Sequence, residues 1–266
     1  MEAVTGVFAT RVIADLALHD VHKAGIPDDK ITLLVPGSVD QVEKEVQSVP
    51  TDATERPGMG TAVGALMGGG IALTGGSVLM ALVPGLGPVT ALGLLGAAIL
   101  GAAGAAVGAS VGGRVEESTY EGLPEDEIFV YEDALRRGHS VVVALADDDP
   151  SASRVREVFK KHGAESVDAA RERWWTGLRS AEQSHYAKSG GSFDDEEKFY
   201  RMGFEAALHA RTRCMEFDQV SAEMDAAFED VQSRYPGANV EEPFTRGYQR
   251  GREHYQQLCD ESNKAA

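Results

Sequence analysis

The chain has 266 residues, enough for one large domain or two ordinary ones, and 43% of them are hydrophobic, so a packed core is within reach. Its 42 Asp and Glu against 25 Lys and Arg give a formal net charge of −17, which repels phosphate backbones and sets nucleic acid aside as a partner. The only two cysteines, Cys214 and Cys259, form no CxxC and complete no zinc site, and they read as free thiols in a reducing cytosol.

The N-terminus opens on an acid at Glu2, and Arg11, Asp15 and Asp20 interrupt any apolar run, so it does not read as a secretory signal. Residues 3–36 read as strand, helix, strand. Val4 to Ala9 is rich in β-formers, and Thr10 can cap a helix carrying Val12, Ile13, Leu16, Leu18 and Val21 at roughly helical spacing. Gly25-Ile26-Pro27 ends that helix, Ile31 to Val35 is a second strand, and Pro36-Gly37 stops it. A polar connector follows over 37–56.

From Pro57 to Gly113 no side chain is charged, and charge returns at Arg114. The composition predicts a helical hairpin over 57–114, one arm from Gly58 to Val83 and the other from Val89 to Gly113, with Pro84, Gly85, Gly87 and Pro88 forming the turn. Each arm of about 25 residues would be roughly 37 Å long, enough to cross a bilayer core of about 30 Å once. Small residues recur every four positions, at Gly60, Gly64, Gly68, Ala72 and Gly76 on the first arm. The second arm carries Gly93, Ala97, Gly101 and Ala105, and beside them Gly104, Gly108 and Gly112. Such stripes let backbones approach closely. In water each interior glycine costs about 1 kcal/mol relative to alanine, so close packing within or between copies must compensate. Arg56 and Arg114 flank the stretch as cytosolic positive ends would.

Residues 124–168 resume the α/β pattern. Pro124 opens a helix with Glu125, Asp126 and Glu127 in its first turn, and Gly138 ends it. Ser140 to Leu145 is a buried type of strand, Asp147 to Ser151 is a turn and helix cap, and Val155, Val158 and Phe159 line the next helix. His162-Gly163 closes that helix before a short strand at Glu165-Ser166-Val167. Joined across the insertion, residues 1–36 and 115–168 have the β-α-β, α-β-α-β order of a split ferredoxin-like α+β domain.

Residues 169–266 read as an acidic, all-helical region with a weak internal repeat. Tyr200-Arg201-Met202-Gly203-Phe204 parallels Phe244-Thr245-Arg246-Gly247-Tyr248, and Trp174-Trp175-Thr176-Gly177-Leu178 fits more loosely. A glycine between aromatics lets a neighbouring helix approach closely, so helix packing is the expected use.

Few residues suggest chemistry. His19 and His22 lack a third metal ligand. Glu182 and His185 make a single ExxH where a di-iron bundle needs two, and Glu205 and His209 do not supply the second. Asp147 to Asp149 lack the ordered ligands and glycine of a calcium loop. No phosphate-binding GxxxxGK[ST] occurs, and no nucleophile and base stand out by spacing. The expectation is a chain with no catalytic residues, no cofactor and no metal.

Gly6-Val7-Phe8-Ala9-Thr10, Ala24-Gly25-Ile26-Pro27, the strand Ile31 to Val35, the turn Pro84 to Pro88, Tyr131 to Gly138, Val141-Val142-Val143, His162-Gly163-Ala164 and Val167-Asp168 occur in an order that resembles the heat-induced stress protein YflT family, also called general stress protein 17M-like. The resemblance covers about residues 4–168, and the tail looks like extensions found on such proteins. It implies a bacterial, stress-associated role without defined catalysis. The sequence reading is thus a non-enzymatic protein at the cell inner membrane with cytoplasmic domains, anchored or self-assembled through a glycine-zipper hairpin. Its partners would be other copies of itself, the lipid bilayer and a protein recognised by the helical tail. The alternatives are a cytoplasmic homo-oligomeric scaffold with buried hairpins, and a regulatory domain that binds a small ligand.

Overall fold

The computed structural model describes residues 1–37, 78–83, 86–92, 127–189, 191–209, 212, 220 and 231–265. The protein is α+β. Its elements are β1 (Glu2–Phe8), α1 (Arg11–Lys23), β2 (Ile31–Pro36), β3 (Val78–Val83), β4 (Gly87–Leu92), α2 (Ile128–Arg136), β5 (Ser140–Ala146), α3 (Asp149–Lys161), β6 (Glu165–Ser166), α4 (Val167–Tyr186), α5 (Phe193–Ala206) and α6 (Glu241–Ala265). The chain divides into two compact units, Met1–Leu123 with Tyr131–Val167, and Pro124–Val130 with Asp168–Ala266.

Local chemistry sets the element ends in the first unit. The Thr10 hydroxyl accepts from the Ile13 amide at the start of α1, satisfying one of the amides a helix N-terminus leaves open. Asp148 does the same for Ser151 in front of α3, with proline in that helix's first turn. Gly25, Gly138 and Gly163 have φ of 96°, 80° and 70° just past the ends of α1, α2 and α3, the left-handed conformation that glycine adopts without steric cost. α2 is described from Ile128, and Pro124 with the acids at 125 and 126 lies outside the described residues.

The sheet has six strands in the order β3-β4-β2-β5-β1-β6, with every neighbouring pair antiparallel. One face follows the period of two along the strands. Val4 and Phe8, Ile31, Leu33 and Val35, and Val142, Ala144 and Ala146 pack under Ala14, Ala17 and Val21 of α1 and Ala152, Val155 and Phe159 of α3. Phe8 meets Phe159 edge-on, with centroids 5.4 Å apart. A Cβ at Gly6 would lie 2.8 Å from the Phe159 ring, so glycine in β1 makes room for it. The opposite face also buries Val7, Leu34, Val141 and Val143. There the Tyr131 and Thr5 hydroxyls lie 3.0 Å apart, tying α2 to the sheet.

The helical hairpin expected over 57–114 is corrected at its centre. Residues 78–83 and 87–92 are strands paired with one another, and β4 pairs with β2 from Leu33↔Leu92 to Pro36↔Val89. Short apolar runs fit a buried strand as well as a buried helix. Here β2 offers a row of backbone partners, and Pro88 near the start of β4 sits where a strand tolerates a missing N–H. The rows of small residues stop at Gly76 and resume at Gly93, leaving out the hairpin. That interruption was the available signal.

The second unit is helical among its described residues. α5 and α6 cross with their backbones close together. A Cβ on Gly203 would overlap the Phe244 carbonyl, 2.8 Å from its carbon, and a Cβ on Gly247 would overlap the Tyr200 carbonyl at the same distance. The two repeat copies therefore pack on each other. Gly177 of the looser third copy is exposed and marks no such crossing.

Candidate functional site

Two places gather the residues singled out by sequence. The first is the seam where the insertion joins the sheet. The Gly37 amide donates to the Pro88 carbonyl at 2.8 Å, and the Thr90 hydroxyl donates to the Gly37 carbonyl at 2.8 Å. Thr90 is fully buried and Gly37 has φ of 103°. The chain leaves β2 in a left-handed turn whose amide and carbonyl are both held by β4. Of the expected turn residues, Gly87 and Pro88 belong to β4, while Pro84 and Gly85 lie outside the described residues. The proposed packing glycines, Gly60, Gly64, Gly68, Gly76, Gly93, Gly101, Gly104, Gly108 and Gly112, also lie outside them.

The second place is a buried ion pair in the helical unit. Glu182 on α4 is 1% exposed. Its carboxylate accepts from Arg250 Nε at 3.0 Å and Nη2 at 3.1 Å, and from the Tyr200 hydroxyl at 2.8 Å. One side chain thus pins α4, α5 and α6 together. Burial, then the Glu182 carboxylate, pushes the Tyr200 phenol well above its ordinary range. Glu182 holds the Arg250 guanidinium above its ordinary value against the opposing effect of burial, which is the largest single influence. Beside the pair, Tyr186 donates to Glu196 at 2.8 Å, and burial followed by that carboxylate raises its phenol to about 12. The Trp175 ring N–H and the Arg179 guanidinium both donate to Glu197 at 2.8 Å. Trp174, Trp175, Tyr186, Phe193, Tyr200 and Phe204 form a continuous aromatic cluster around these bonds.

The arrangement joins three helices through one carboxylate. Both Glu182 oxygens accept hydrogen bonds, and the carboxylate is buried. His185, the other half of the ExxH, is exposed. Glu205 accepts from Arg201 at 2.6 Å, and His209 stacks on Phe129 with centroids 6.4 Å apart. His22 pairs with Asp28 at 2.8 Å, and His19 is exposed. Among the described residues no group of three or more His, Cys, Asp or Glu side chains is placed to hold a metal ion. Sequence reasoning missed the Glu182–Arg250 pair. The two residues are 68 positions apart, and nothing in their spacing announces contact.

No family model, no curated protein and no solved structure matches this chain.

Proposed function

We propose that this chain is a non-enzymatic, self-assembling protein. In this reading a ferredoxin-like sheet domain is the base, the uncharged insertion is the assembly element, and the helical unit is a docking module for a protein partner. The ferredoxin-like reading is supported by the run β6-β1-β5-β2, in which α1 links β1 to β2 and α3 links β5 to β6. The stress association rests on the resemblance of residues 4–168 alone.

The observation that carries the assembly reading is the pairing of β4 with β2. Had each arm of the insertion crossed a bilayer once, its midpoint would lie on the far side from β2. A strand hydrogen-bonded to β2 lies on the same side. Among the described residues no helix is long and apolar enough to cross a membrane. The charge-free sequence on either side of the hairpin carries small-residue rows that suit a glycine-zipper contact between copies.

Native fractionation with a carbonate wash, followed by sizing without detergent, tests the reading. The expected result is a discrete assembly larger than the 28.3 kDa monomer. A monomer overturns it, and a carbonate-resistant membrane pellet replaces it with anchoring in lipid.

A further inference from the structure

The helical unit lines up its oxidisable rings. Trp175 lies 6.4 Å from Tyr200, and Tyr200 lies 4.9 Å from Tyr186, centroid to centroid. Trp174, the one other tryptophan in the sequence, lies 6.1 Å from Trp175. These are the separations of rings in direct contact. All four side chains are buried.

Three of these rings give their acidic proton to a carboxylate, each at 2.8 Å. The Trp175 ring N–H donates to Glu197, the Tyr200 hydroxyl to Glu182 and the Tyr186 hydroxyl to Glu196. Packing asks only that a buried indole or phenol find some acceptor. A carboxylate is also a base, able to take the proton across the bond. The three carboxylates differ in their access to water. Glu197 and Glu196, at the two ends, are partly exposed, whereas Glu182 in the middle is buried. A proton received at either end can pass to solvent, and one received by Glu182 must return.

We propose that Trp175, Tyr200 and Tyr186 relay one oxidising equivalent, taken from a one-electron oxidant at the tryptophan pair and held at Tyr186 as a neutral tyrosyl radical. The inference goes beyond self-assembly and does not depend on it.

The steps balance. The oxidant takes one electron from Trp175, whose ring proton passes to Glu197. Tyr200 then gives an electron to Trp175, which recovers its proton, and the Tyr200 phenol proton moves to Glu182. Tyr186 gives an electron to Tyr200, which recovers its proton from Glu182, and the Tyr186 proton moves to Glu196. The net change is one electron to the oxidant and one proton to Glu196. A phenol that loses electron and proton together is oxidised more readily than an indole at neutral pH, which sets the direction. Arg201 stands over the Trp175 ring at 5.6 Å and Arg246 over the Tyr186 ring at 5.5 Å. A cation there opposes a second positive charge on the ring, so the proton has to leave with the electron.

Pulse radiolysis of the full chain with the azide radical, which oxidises indole in preference to phenol, tests the relay. The indolyl absorption should decay as the tyrosyl absorption grows, at a rate independent of protein concentration. Tyr200→Phe should slow that growth, and Tyr186→Phe should lower the tyrosyl yield. Glu196→Gln keeps an acceptor that cannot take the proton, and should lower the yield as well. Tyr235→Phe, which removes an exposed ring stacked on Phe199 outside this path, should match the wild type. Far-UV circular dichroism establishes that each variant is folded. The relay is overturned if no tyrosyl signal grows in, if its rate scales with protein concentration, or if Tyr200→Phe, Tyr186→Phe and Glu196→Gln all behave as the wild type.

Discussion

Gly203 and Gly247 stand in reciprocal contact: each faces the carbonyl of the aromatic residue three positions before the other. That reciprocity is the relation a twofold axis produces, here between two helices of one chain. It gives the internal repeat a physical purpose. An aromatic, two residues and a glycine make a bulge and a notch, and two such helices fit bulge into notch.

Gly203→Ala and Gly247→Ala should each destabilise the helical unit by about 1–3 kcal/mol, the usual cost of overpacking. On an isolated helix the same change is favourable by about 1 kcal/mol, so the sign itself distinguishes a crossing from an ordinary helix position. Urea unfolding followed by tryptophan fluorescence measures it, because Trp174 and Trp175 are buried in this unit. Gly177→Ala, at an exposed position, should be neutral or stabilising.

Removing one partner of the buried pair should cost far more than removing both. Glu182→Gln or Arg250→Met alone leaves an uncompensated buried group, with a loss of about 3–5 kcal/mol. Glu182→Leu combined with Arg250→Met removes both charges and should recover most of that. A double-mutant cycle by denaturant unfolding reads the coupling directly. Additive losses would mean that the pair does not act as a unit.

Asp20 gives the sheet unit an acid-sensitive clamp. It accepts from Lys161 at 2.8 Å and from His162 at 3.0 Å, and bonds to Lys161, then His162, hold its carboxyl well below the usual range. A carboxyl depressed in the folded state contributes stability above its unfolded value of about 4, and loses it as pH falls through the folded value. The difference in Tm between wild type and Asp20→Asn should therefore be full at neutral pH and shrink progressively below about pH 4. Thermal melts across that range check it.

The seam at Gly37 predicts a local effect. Thr90→Val keeps shape but strips the hydroxyl from the Gly37 carbonyl, at a cost of about 1 kcal/mol. Amide exchange should quicken in β4 while β5, central in the sheet, keeps its protection. Uniform loss across all strands would show that β4 is not a separable element.

Much of the first unit was legible in the sequence because its signals are local. Thr10 and Asp148 cap their helices through bonds spanning three residues, and Gly25, Gly138 and Gly163 end theirs through their own backbone freedom. Val141-Val142-Val143 declared a buried strand by composition, and the Tyr200 and Phe244 repeats announced a helix contact by their glycines. Sequence also determined that 57–113 would carry no charge. Only tertiary structure decided that 78–83 and 87–92 are strands. A short apolar run satisfies its backbone equally well in a helix or a ladder, and the free edge of β2 that tips the choice lies more than forty residues earlier in the chain. The same holds for Glu182 and Arg250. A buried charge must find its opposite, but which one it finds depends on how α4, α5 and α6 are brought together, and no spacing along the chain records that.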